Sequence, residues 1–161
     1  MIEFIEEDKQ MDSPFFAYLS FQAQHIPLQA PQEFIDKYLT TYEEGWDILR
    51  EQRKNKAVEK GIFPPDKKIV DSMSTLDSWS ALDQESKKMI IKSMAVFAGM
   101  LDAMDFHIGR FITYLKKEGL YENTIFIVTA DNGPEGNDPS DHAPWREWFK
   151  TTIYDRDYES L

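Results

Sequence analysis

Two short apolar runs and one long periodic stretch dominate the chain. The first run, Pro14-Phe15-Phe16-Ala17-Tyr18-Leu19-Ser20-Phe21, is aromatic and has proline at its entrance. Its length and composition predict a strand buried on both faces. It gives way to Gln22-Ala23-Gln24-His25-Ile26-Pro27, a polar turn that carries a histidine, and Pro27 and Pro31 keep the next residues extended. The second run, Asn123-Thr124-Ile125-Phe126-Ile127-Val128-Thr129-Ala130, is rich in β-branched residues and is the strongest strand signal in the chain. Its unbroken apolar character predicts an interior strand covered by helices, and it ends in the tight turn Asp131-Asn132-Gly133-Pro134.

Between the runs the pattern is helical. Over Gln32 to Lys60, Phe34, Ile35, Tyr38 and Leu39 share a face, and Trp46, Ile48, Leu49 and Val58 continue it; Gly61 predicts the stop and Pro64-Pro65 bars continuation. The polar stretch from Asp66 to Asp77 reads as a surface connection. Asp83 is placed as the N-cap of a long helix running to about Glu118, with Glu85 at its positive end, Lys116 and Lys117 at its negative end and Gly119 as the stop. Its apolar stripe is Met89, Ile90, Met94, Phe97, Leu101, Met104, Ile108, Phe111, Ile112 and Leu115. About 35 residues would span roughly 50 Å, and Gly99 or Gly109 marks a kink or a close packing contact. The order strand, helices, long helix, strand predicts an α/β layer architecture.

Composition narrows the partners. The 161 residues suit one domain, and 42% hydrophobic content supports a packed core. A net charge of −11 disfavours nucleic acid and anionic membrane surfaces, and an anionic substrate would need a local metal or basic group. No apolar run approaches the roughly 20 residues of a membrane span. With no cysteine, disulfides, thiolate catalysis and zinc–thiolate sites are excluded. The start, Met1-Ile2-Glu3-Phe4-Ile5-Glu6-Glu7-Asp8, lacks the basic and apolar regions of a signal peptide and reads as the tail of a helix.

The chemistry lies where the predicted strands end. Ligands in open α/β sheets bind beyond the carboxyl ends of the strands, and parallel strands would put His25, Asp131 and Asn132 on one edge. Asp131 and Asn132 offer oxygens to Ca²⁺ or Mg²⁺, and His25 can donate to an anion or protonate a leaving group. From the residues alone, Asp-Asn-Gly is more commonly a simple turn and His25 more often a loop hydrogen-bonder. His107, beside Asp105 and Arg110, reads as a surface or packing residue. His142 among Glu135, Asp138 and Asp141 reads as part of an acidic loop, and Trp145, Trp148 and Phe149 as an apolar cover.

Taken together, the segments resemble bacterial arylsulfatases. Residues 14–31 resemble the sulfatase segment in which an active-site histidine follows a strand. Gly45-Trp46-Asp47-Ile48-Leu49-Arg50 resembles the helix after it. Ala98-Gly99-Met100-Leu101-Asp102-Ala103-Met104-Asp105 with Ile108-Gly109-Arg110 resembles the family's long helix, and residues 123–133 its metal-ligand strand. The resemblance implies a partial alkaline-phosphatase-like sandwich, with a mostly parallel sheet and flanking helices. It also implies a divalent cation, usually Ca²⁺, and a formylglycine nucleophile acting on a sulfate ester. Asp131 and Asn132 would then be metal ligands, and His25 would contact the sulfate or the leaving oxygen. Family members often work in the periplasm or outside the cell.

The departures shape the expectation. No cysteine and no Ser-x-Pro-x-Arg frame can supply formylglycine, and the family's other acidic and basic site residues have no match. Residues 1–161 are therefore read as a fragment of the sulfatase catalytic domain without its N-terminal nucleophile region and C-terminal part. The fragment is expected to be inactive alone and to bind metal weakly, because two ligands fall short of the about six to eight oxygens Ca²⁺ prefers. The alternatives are a non-catalytic remnant that self-associates through bare sheet edges, and a generic α/β metal-binding module.

Overall fold

The computed structural model of the chain describes residues 1–7, 13–68 and 78–133. Four α-helices carry it: α1 (Ile2–Glu7), α2 (Gln32–Ile35), α3 (Gly45–Glu59) and α4 (Gln84–Lys117). Short 3₁₀ turns follow α2 (Asp36–Tyr38), precede α4 (Trp79–Ala81) and follow it (Tyr121–Asn123).

The 34-residue helix α4 is the scaffold, and its ends follow local rules. Asp83 caps the N-terminus, its carboxylate accepting from the Ser86 N–H at 2.8 Å and from the Ser86 hydroxyl at 2.8 Å. At the C-terminus Gly119 adopts a φ of 72°, and the N–H groups of Gly119 and Leu120 donate to the carbonyls of Lys116 and Leu115. That is the paired closure of a glycine-ended helix, with Leu120 packed on the cluster that contains Leu115. Helix α3 ends the same way at Gly61, where the N–H groups of Gly61 and Ile62 donate to the carbonyls of Val58 and Ala57.

Among the described residues two buried clusters form the core, both built on α4. In one, Ile35 of α2 packs on Ala95 and Val96, flanked by Leu28, Ala30, Tyr38 and Leu39. In the other, Ile5 of α1 packs on Phe111, Tyr114 and Leu115, flanked by Ala17 and Leu19. The buried line of α4 thus differs from the stripe expected from sequence. Ala95, Val96, Gly99 and Met100 are buried, whereas Leu101 is 44% exposed. Small residues at 95 and 99 let α2 approach closely, and this approach selects the buried face. The helical pattern over Gln32 to Lys60 is realised in separate pieces: turn residues separate Tyr38 from Gly45, and Gly45 enters α3 with a φ of 79°.

The expected α/β sandwich with its mostly parallel sheet is overturned. Among the described residues there are helices and turns and no strand. A strand exists only through its ladder, and neither apolar run forms one among the described residues. Residues 14–21 turn Ala17 and Leu19 onto the α4 cluster while Phe16 stays 92% exposed and Tyr18 exposed. The period of two is present, but only one face is covered. In residues 123–130, Phe126 leans on Tyr121 at a ring separation of 5.5 Å, while Ile125, Ile127 and Val128 are exposed, Val128 to 96%.

The part of the polar connection at 69–77 and the tail from Pro134, with His142 and the Trp145, Trp148 and Phe149 cluster, lie outside the described residues. Among the described residues no helix is long and apolar enough to cross a membrane.

Candidate functional site

His25 sits in the turn after the first apolar run. Its backbone N–H donates to the Gln22 carbonyl at 3.1 Å, and the preceding Gln24 is held at a φ of 74°, in the left-handed region that non-glycine residues seldom occupy. The imidazole Nδ1 lies 2.6 Å from the Ile26 carbonyl oxygen, so it carries the proton in this contact. The ring is exposed, and Nε2 points to no described partner.

Asp131 and Asn132 follow the second apolar run and are exposed. Asp131 Oδ1 accepts from the Asn132 N–H at 3.0 Å, and the Asn132 amide nitrogen donates to the Gly133 carbonyl at 2.6 Å. Asp131 Oδ2 and Asn132 Oδ1 accept no hydrogen bond among the described residues. These are hard oxygen donors of the kind that Ca²⁺ and Mg²⁺ select. Their number does not match: among the described residues no three His, Cys, Asp or Glu side chains gather where they could hold a metal ion. By themselves these two residues do not make up a cation site. No hydrogen bond or ion pair among the described residues links them to His25. His107 is exposed on α4, with its Nδ1 3.2 Å from Arg110 and its ring 5.3 Å from that of Phe106, consistent with a surface role.

A second feature was missed in the sequence. A cleft of about 550 Å³ opens between α3 and the first half of α4. The Trp46 and Trp79 rings meet edge to face at 5.1 Å on its wall, and Asp47 Oδ2 accepts from the Trp79 N–H at 3.2 Å, tying the 3₁₀ turn to α3. Arg50, Arg53 and Lys54 line it. The signal was present as cations at i, i+3 and i+4, but nothing in the sequence places Trp79 opposite them.

The sulfatase family profile matches residues 1–158. Over 133 residues the chain is 41% identical to an uncharacterized sulfatase of Schizosaccharomyces pombe, covering 81% of this chain and 24% of that protein. It is 32% identical over 150 residues to an arylsulfatase of Klebsiella aerogenes, covering 93% of this chain and 32% of that one. It is 26% identical over 160 residues to an arylsulfatase of Clostridium perfringens, covering 94% and 27%. The chain belongs to the sulfatase family. It spans between 24% and 32% of the length of these three relatives.

Proposed function

We propose that this chain supplies one part of a sulfatase's sulfate-ester site and does not hydrolyse the ester alone. Asp131 and Asn132 contribute two oxygen ligands to a divalent cation, Ca²⁺ or Mg²⁺, whose remaining ligands lie elsewhere in a complete site. His25 hydrogen-bonds the sulfate or protonates the leaving oxygen. A general acid must stand within hydrogen-bond reach of the atom it serves, and with Nδ1–H held by a backbone carbonyl the exposed ring can donate from Nε2 only in its doubly protonated form, which the task requires. The nucleophile is the part this chain does not carry, since it has neither cysteine nor a Ser-x-Pro-x-Arg frame from which formylglycine arises. The observation that carries the reading is the family match along residues 1–158, which includes both site segments.

Nuclear magnetic resonance titration of the chain with Ca²⁺, beside Asp131→Ala, tests it. The expected result is weak binding that perturbs Asp131 and Asn132 and vanishes in the variant, with no turnover of 4-nitrophenyl sulfate by either protein. Turnover by the purified chain would overturn the inactivity. Binding that survives Asp131→Ala would overturn the ligand assignment.

A second reading is self-association through the two bare apolar runs, favoured by the exposure of Phe16, Tyr18, Ile125, Ile127 and Val128. Light scattering behind size exclusion is expected to show a dimer or larger species that Val128→Lys reduces. A monomer at every concentration would dismiss it.

A further inference from the structure

We propose that the cleft between α3 and α4 binds a flat aromatic anion, its ring against Trp46, Trp79 and Phe63 and its negative group on Arg50, Arg53 and Lys54. About 550 Å³ lies within the range of about 300–1,000 Å³ that small-molecule sites occupy. The walls are largely apolar and aromatic: Trp46 and Trp79, packed edge to face on each other, line the cleft together with Phe63 and with Met94 of α4. Planar rings pack well against such a surface.

The charge at the cleft is opposite to that of the chain. The protein carries −11 overall, yet three cations from one face of α3 line this opening. Like charges three and four residues apart repel along a helix, so their grouping costs stability until an anion offsets it. None of the three is ion-paired to another described residue. Two nearby acidic groups have partners: Asp47, which also lines the cleft, accepts from the Trp79 N–H, and Glu44 accepts from the Gln52 amide at 2.9 Å. Outside the lining, the Lys87 ammonium stands 5.9 Å from the Trp79 ring centroid. Guanidinium groups bind oxyanions through paired hydrogen bonds to two of their oxygens, so a carboxylate or sulfonate on an aromatic ring meets both halves of the cleft at once. A neutral aromatic would leave the cations unanswered, and a small inorganic anion would leave the aromatic wall bare.

Calorimetric titration of the full chain with 2-naphthalenesulfonate tests this, beside 2-naphthylmethanol as the uncharged ring. The expected result is saturable one-to-one binding, weaker by about tenfold or more both for the alcohol and for the Arg50→Gln/Arg53→Gln variant. Lys116→Gln, which removes a cation lying over Tyr121 at the other end of α4, is expected to leave binding unchanged. Circular dichroism checks that the double variant keeps its helix content; if it does not, Lys54→Gln alone carries the comparison. No saturable binding, equal affinity for the alcohol, or an equal loss in Lys116→Gln would each overturn the proposal.

Discussion

Gly99 and Ile35 meet backbone to backbone: a Cβ on Gly99 would stand 3.1 Å from the Ile35 nitrogen and 3.2 Å from its Cα. Helix α2 therefore rests directly on the scaffold helix, with Ile35 sealed against Ala95 and Val96. Gly99→Ala adds a methyl group where backbone must give way, a strain of about 1–3 kcal/mol against a helix-propensity gain of about 0.8–1.0 kcal/mol. The expected outcome is a net loss of stability. Gly109, in the same helix, has nothing within 4 Å of such a Cβ, and Gly109→Ala should gain about 0.5–1 kcal/mol. Urea midpoints of the two variants should move in opposite directions.

The buried line of α4 predicts a second contrast. Leu115 is fully buried between α1 and the first apolar run, so Leu115→Ala should cost about 2–5 kcal/mol. Leu101 stands at the edge of the same expected stripe but is 44% exposed, and Leu101→Ala should cost under about 1 kcal/mol. Equal losses in chemical denaturation would contradict the packing of this helix.

Asp83 makes stability depend on acid. The Ser86 N–H, then the Ser86 hydroxyl, hold its carboxyl below the ordinary 3.8. A depressed carboxyl contributes stability that is fully present above the unfolded value and is lost as pH falls through the lower folded value. Asp83→Asn keeps a capping oxygen but no titration. The advantage of the parent over Asp83→Asn in melting temperature should therefore be constant near neutral pH and shrink below about 3.8. A difference that grows toward low pH would rule out this account.

Gly45 and Gly61 separate backbone strain from crowding. Both have positive φ, so alanine costs about 1–2 kcal/mol at either position. At Gly61 nothing lies within 4 Å, whereas at Gly45 the added carbon falls on the Trp79 ring. Gly45→Ala should be the more damaging change and should weaken the near-ultraviolet dichroism from the Trp46–Trp79 pair, while Gly61→Ala leaves that signal intact.

The candidate site was legible as residues and not as a geometry. His25 and Asp131-Asn132 stand out because each follows an apolar run and carries the donor types a sulfate ester and a hard cation require. Family membership then follows from several segments in order along one chain. The cleft was invisible because its wall joins Trp46 to Trp79 across 33 positions by a contact that no periodicity encodes.

Both ends of α4 and the C-terminal end of α3 were determined by the sequence alone. Asp83, Gly61 and Gly119 act through hydrogen bonds to residues three to five positions away, which any local reading captures. Tertiary structure decided the rest. The face that α4 buries depends on where α2 can approach, and that is set by Gly99. The two β-branched or aromatic runs have the composition of interior strands, but a strand needs a neighbour to complete its hydrogen bonds and a layer on each face. Among the described residues, helices cover one side of residues 14–21 and leave the other to solvent. Strand propensity became an extended apolar surface because propensity is local and a sheet is not.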